Sequence, residues 1–373
     1  MKITAVEPIV LRLGEVDTSR ADGTQDAFVV RVHTDEGLVG IGEADTSPHV
    51  ARTIVEMPSS HAVARGLAEL LVGQDPLRIG ELWERMFRGS YHYGRAGAAL
   101  HTMSAIDIAL WDIAGQAAGA SVADLLGGRR HDAMAVYASE VMPDSPERVR
   151  EIASRAVADG YRALKLGWGP LGGSIERDVE LIAAARDELG PDRTLMVDAG
   201  MGYTVKRAVQ LLRELEPYDI YWLEEPLLAD DYDGYRRLSD AVPVRIAAGE
   251  ADSGLGPYRA LVELGHLDVL QPDLARCGGF TVARQIAELA AARGVEVVPH
   301  CFSTGILVAA SLQFTAAMSG ATFSEYSVAS SPLVNGLLTA PFALDEEGRV
   351  AVPDGPGLGV TLDDAAVERL RYR

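Results

Sequence analysis

The chain is poor in sulfur and in positive charge, and both shortages narrow what it can be. Its only cysteines among 373 residues are Cys277 and Cys301, and neither stands in a CxxC or disulfide-scaffold pattern. That excludes a thiolate metal cluster and a disulfide-stapled secreted fold, and fits a reduced, cytoplasmic setting. Lys and Arg number 34 against 54 Asp and Glu, a formal charge of −20. Nucleic acids and anionic membrane surfaces call for clustered cations, so neither is an expected partner. A small anionic substrate stays compatible, because local charge or a bound cation decides its binding. The opening "MKITAVEPIVLRL" has no long apolar run, which argues against a signal peptide or membrane anchor and for a strand. A dinucleotide-binding doubly wound sheet is the alternative α/β architecture.

What the chain does have is apolar residues, 48% of the total, arranged with clear periods. Residues 27–43 are two β-rich runs joined by Asp35-Glu36-Gly37, a hairpin signal, and with the first strand they predict a small antiparallel meander. Helical patterns follow at 61–73, 78–88 and 101–119. Residues 1–128 therefore read as an α+β capping domain. From about 133 short apolar runs alternate with amphipathic helices, the texture of a parallel sheet. The runs end in polar residues at a regular beat: Lys165, Asp198, Glu224, Glu250, Asp273, His300 and Glu325, separated by 33, 26, 26, 23, 27 and 25 residues. With "MAVYASE" at 134–140 as the first strand, eight βα units span 129–330. Eight such units close a (β/α)8 TIM-type barrel, whose functional residues project from the C-terminal strand ends. The Pro- and Gly-rich segment 331–373 is expected to leave the barrel and pack back on the capping domain.

Asp198 in "LMVDAG", Glu224 in "WLEEPL" and Glu250 in "IAAGE" end three successive runs. Neighbouring strands lie about 5 Å apart, so acids at matching heights converge. Carboxylates that close repel or take up protons. A hard divalent cation resolves the conflict, and Mg²⁺ accepts oxygen ligands while keeping positions for water or substrate. Any one of these acids alone would as readily cap a helix; equal spacing favours the metal. Glu225 alternates to the other side of its strand and reads as structural. Asp273 in "LQPDLARCGG" and His300 in "VVPHCF" end the next two runs. A neutral imidazole accepts a proton near pH 7, and a carboxylate at its other nitrogen sets the tautomer. Alone, such a histidine is as readily structural.

Over essentially its whole length, from the meander through "SAIDIALWDIAG" to the tail, the chain resembles the mandelate racemase subgroup of the enolase superfamily. The resemblance implies that Asp198, Glu224 and Glu250 hold Mg²⁺. In that superfamily the metal stabilises the enediolate formed when a Lys or His base removes the proton next to a carboxylate. It further implies that His300 is the base with Asp273 as its orienting partner. Glu325 in "ATFSEYS" matches the glutamate that hydrogen-bonds the substrate carboxylate. Arg276 either adds positive potential beside the Asp-His pair or forms an ordinary surface pair. A homo-oligomer is expected.

Racemases of the subgroup end strand two in Lys-x-Lys, the second lysine being a base opposite the histidine. Here the pattern is Lys165-Leu166-Gly167, and glycine brings no base. What is left is one-base chemistry, in which His300 removes the α-proton and then protonates a departing β-hydroxyl. That is the dehydration of an acid sugar, an aldonate or aldarate, to a 2-keto-3-deoxy acid. "GWGPLG" after Lys165 is similar to the strand-two loop of rhamnonate-type dehydratases, or is a plain turn. Lys165 itself becomes an electrostatic contact to substrate, or the base for an epimeric substrate. Gly200 stands where many members carry Asn. Racemase, epimerase or cycloisomerase activity, and a non-catalytic sensor, are the rivals. The candidate specificity loops are 15–26, 47–61 and 91–97, with Arg20, His49, Arg52, His61, His92 and Arg95.

Overall fold

A computed structural model of the chain describes residues 1–19 and 22–372. Strands β1 (Ile3–Arg12), β2 (Asp26–Thr34) and β3 (Val39–Ala44) form the antiparallel meander in the order β1-β2-β3. The two faces of β3 carry different residues for a physical reason. A Cβ at Gly40 or Gly42 would lie 2.0 Å from Ala109 O or 1.9 Å from Ala105 O, so only glycine lets the helix Ala98–Ala118 lie directly on the strand. The alternate residues Ile41 and Glu43 face the barrel. Glu43 accepts hydrogen bonds from the N–H groups of Thr304 (3.1 Å) and Leu307 (3.0 Å), filling the open N-terminus of the barrel helix Gly305–Ala317. The helix Ala98–Ala118 is apolar nearly all round and buried between meander and barrel.

The barrel consists of β4 (Ala133–Val141), β5 (Ala163–Gly167), β6 (Thr194–Asp198), β7 (Ile220–Glu224), β8 (Arg245–Ala248), β9 (Val269–Leu270), β10 (Glu296–Val297) and β11 (Ser324–Ser327). All are parallel, in the order β10-β9-β8-β7-β6-β5-β4-β11, so the first strand pairs with the last as barrel closure requires. The expected (β/α)8 barrel is present, in modified form: β11 leads directly into a short four-residue helix, Pro332–Asn335, and a further helix, Asp364–Leu370, lies near the end of the tail. The tail then adds β12 (Arg349–Ala351), antiparallel to the start of β4, before the main-chain N–H of Tyr372 reaches Val10 O at 2.8 Å. Tyr137, Ala163, Met196, Trp222, Ala247 and Val269, one from each of β4 to β9, pack inside the barrel as a solid floor. The cavity above that floor is therefore a closed-bottomed site rather than a channel.

Two local expectations need correction. Of the helix expected over 61–73, only Leu67–Leu71 is helical, with His61 and Ala64 in an isolated bridge. The supposed loop 47–61 contains the helix Pro48–Glu56, whose Ala51, Ile54 and Val55 are buried; proline at its first turn and an apolar stripe at helical spacing dictate it. Among the described residues no helix is long and apolar enough to cross a membrane.

Candidate active site

A cavity of about 380 Å³ opens at the C-terminal ends of the barrel strands, and Lys165, Asp198, Glu250, Arg276, His300 and Glu325 are part of its wall. Asp198 and Glu224 end β6 and β7 at paired register positions. Glu250 follows β8 after Gly249, whose φ of 129° suits glycine. The three carboxylates are buried, and each offers an oxygen within 4.8 Å of the others. The Trp222 indole N–H donates to Glu224 Oε2 at 3.0 Å, and the Gly200 N–H donates to Asp198 Oδ1 at 3.0 Å. Glu250 Oε2 is buried with no aligned donor. Burial, and after it the charge of Glu224, drives the Asp198 carboxyl far above its ordinary range. Acids this close and this dry retain protons unless a cation replaces them, and an all-oxygen donor set fits a hard divalent ion.

Glu225 turns away, at φ 37°, and its Oε1 accepts the Gly249 N–H at 3.2 Å. It braces the turn that carries Glu250. Burial, with Glu250 nearby, raises its carboxyl to about 8.

One side of the cavity is formed by His300. Its Nδ1 lies 2.7 Å from Asp273 Oδ2, while the other Asp273 oxygen accepts the Ala275 N–H at 2.6 Å. Its Nε2 stands 3.2 Å from Glu250 Oε2. Burial pulls the imidazole down, but Glu250, Glu325 and the Asp273 bond outweigh it and hold its pKa up at about 10. A cation on Glu250 would remove much of that pull and return the ring toward neutrality.

The other side is formed by Lys165. Its Nζ is 2.6 Å from Glu224 Oε1 and 2.8 Å from Glu325 Oε1, and Glu325 Oε2 accepts the Cys301 N–H at 2.7 Å. Burial alone would lower the lysine; Glu224 and Glu325 reverse this and raise it well above its usual range. Burial likewise works against the Glu325 charge, and Lys165 and His300 overcome it, leaving that carboxyl at about 2. Lys165 is a sealed cation in this arrangement.

Residues 3–127 match the family model described as mandelate racemase / muconate lactonizing enzyme, N-terminal domain, and residues 148–366 match the one described as enolase C-terminal domain-like. The chain belongs to this enzyme family. The D-galactarolactone cycloisomerase of Agrobacterium fabrum is 36% identical, covering 100% of this chain and 99% of its own length. The D-galactonate dehydratase of Ralstonia nicotianae is 35% identical, covering 92% of this chain and 90% of its own. Among solved structures, a racemase from Streptomyces coelicolor A3(2) with bound magnesium superposes with a TM-score of 0.88 at 29% identity, covering 99% of this chain and 100% of its own. In the mandelate racemase / muconate lactonizing enzyme family the acidic cluster sits in a metal-dependent fold, and its geometry here suits that use.

Both departures from the subgroup pattern have a steric meaning. A Cβ at Gly167 would lie 2.2 Å from Asp198 Cβ, so a side chain there collides with the acid triad. Gly200 lies under Trp168: a Cβ would meet the indole Cδ2 at 3.1 Å. Trp168, held at φ 58° in the left-handed region and lining the cavity, takes the wall position. Sequence reasoning passed over Trp168, because nothing local reveals a positive φ at a bulky residue. It also missed Asp45, which lies beyond the end of β3 on the face of Ile41 and Glu43; that alternation was the available signal. Of the candidate loops, Asp22 and Gly23 of 15–26 line the cavity, and no residue of 47–61 or 91–97 does. Arg52 pairs with Glu56, His61 with His92, Arg95 lies over Tyr91, and His49 packs on Tyr372. Arg20 lies outside the described residues.

Proposed function

We propose that the chain is a Mg²⁺-dependent dehydratase of an acid sugar, an aldonate or aldarate. The observation that carries this is one-sidedness: among the described residues His300 is the one side chain of the cavity built as a base, and the position that would supply a second base is Gly167, crowded against Asp198. Asp198, Glu224 and Glu250 would hold the cation. When bound, it supplies positive charge opposite the substrate carboxylate, where charge develops as the α-proton leaves. The remaining steps belong to the chain. Asp273 keeps the proton of His300 on Nδ1, leaving Nε2 to take the proton from the carbon next to the carboxylate. The imidazolium then gives that proton to the β-hydroxyl as its C–O bond breaks. Water leaves, and the enol takes a proton at the β-carbon to become a 2-keto-3-deoxy acid. Lys165, a fixed cation, draws the substrate carboxylate inward, and Glu325 holds Lys165.

The full-length likeness to a cycloisomerase favours one second reading. If the β-oxygen belongs to a ring, the same elimination opens the ring and releases nothing, so the product is an isomer. Mass spectrometry separates the two: loss of one water marks dehydration, unchanged mass marks isomerisation. A library of aldonates, aldarates and their lactones, incubated with Mg²⁺, is expected to give keto acid from at least one open-chain acid, and none with His300→Asn. Turnover confined to lactones at unchanged mass would establish the second reading instead.

A further inference from the structure

We propose that Asp45, a residue of the capping meander, is a positioning residue for the His300–Asp273 pair, acting through Arg276. The inference rests on the role given to His300 above. Beyond β3 the barrel-facing alternation of Ile41 and Glu43 continues to Asp45. Its Oδ2 accepts both the Nη2–H (2.5 Å) and the Nε–H (3.1 Å) of Arg276. The third arm of the guanidinium, Nη1, donates to the main-chain oxygen of Glu250 at 3.1 Å and stands 3.7 Å from Glu250 Oε1. Nε also stands 3.7 Å from Asp273 Oδ2, the oxygen that holds His300. The pair is shielded, with side chains 21% and 16% exposed, so it is no ordinary surface bridge.

Arg276 and His300 thus contend for one carboxylate oxygen. At 3.7 Å the guanidinium contributes its field but no hydrogen bond. What keeps it there is the two-pronged bond to Asp45. With that anchor neutralised, the nearest full negative charges are Asp273 and Glu250, and the arginine's fork suits a carboxylate. Closing onto Asp273 Oδ2, it would weaken the bond that orients the imidazole. Arg276 also keeps Asp45 and Asp273 compatible, since an oxygen of each lies within 4.8 Å of the other and of a His300 nitrogen. Through this contact the seating of the cap becomes part of the alignment of the base.

Asp45→Asn, nearly isosteric, tests it. With the acid sugar found above as substrate, kcat is expected to fall about 30-fold with KM changed less than about 3-fold, the pattern of lost alignment. In an Arg276→Met background the same change should alter kcat less than about 2-fold, because Asp45 acts through the arginine. Asp45→Glu, which keeps the charge, is expected to retain most of kcat. Additive losses in the double variant, or a loss seen only in KM, would overturn the proposal. A crystal structure of Asp45→Asn gives a readout independent of substrate: Arg276 is expected within about 3 Å of Asp273 Oδ2, and an arginine still at its present distance would overturn it. If no acid is turned over by the parent protein, the dehydratase reading fails, and this structure still judges Asp45.

Discussion

The two sides of the barrel mouth are built from the same kinds of residue to opposite effect. On the His300 side an imidazole, the proposed base, has one nitrogen tied to Asp273 and the other directed at the cavity and Glu250. On the Lys165 side a potential base is closed between Glu224 and Glu325, whose two buried carboxylates hold its proton in place. Next to it, where a second base would have to stand, a side chain would strike Asp198. The contrast teaches that whether a strand-end residue is a base depends on how many opposite charges the fold sets against it. Residue type alone does not decide it.

The comparison can be broken most forcefully at its ends. His300→Asn is expected to lower kcat by about 10³-fold or more, within the range of lost acid–base catalysis, while Mg²⁺ binding by calorimetry persists. Gly167→Lys, which restores the residue of a two-base racemase, should instead abolish Mg²⁺ binding and lower the melting temperature, because its Cβ displaces Asp198. Racemisation by that variant would overthrow the steric account. Asp273→Asn should cost about 10²-fold or more in kcat, the wrong tautomer being favoured. Lys165→Met is expected to lose about 10-fold to 100-fold in turnover, with residual α-proton exchange in D₂O still detectable by NMR. If Lys165→Met proves worse than His300→Asn, the lysine is the base after all. The smallest effect belongs to the wall between the two sides: Trp168→Leu should raise KM several-fold and leave kcat within about 2-fold, as lost uniform binding does.

Much of this was legible in one dimension. The beat of polar residues at the ends of apolar runs reported the barrel, because a strand, a helix and two short turns consume a nearly constant length of chain. The triad and the Asp273–His300 pair were legible for the same reason, since register places consecutive strand ends side by side. Helix Pro48–Glu56 was hidden by its polar outer face and loop-like flanks. The partner of Arg276 was hidden more deeply: Asp45 lies 231 residues away in the chain, and no local period connects a cap strand to a barrel loop.

By itself, then, the order of side chains determined the barrel and the three converging acids, since both follow from strand period and residue type; the missing second base became legible only against the family pattern it resembles. Only the tertiary structure decided the charge state imposed on Lys165, the crowding that makes Gly167 obligatory, and the bond from Asp45 to the arginine beside the His300–Asp273 pair. Those depend on distances between elements far apart in the chain, and electrostatic energy in a buried site changes steeply over the few ångströms that the fold alone sets.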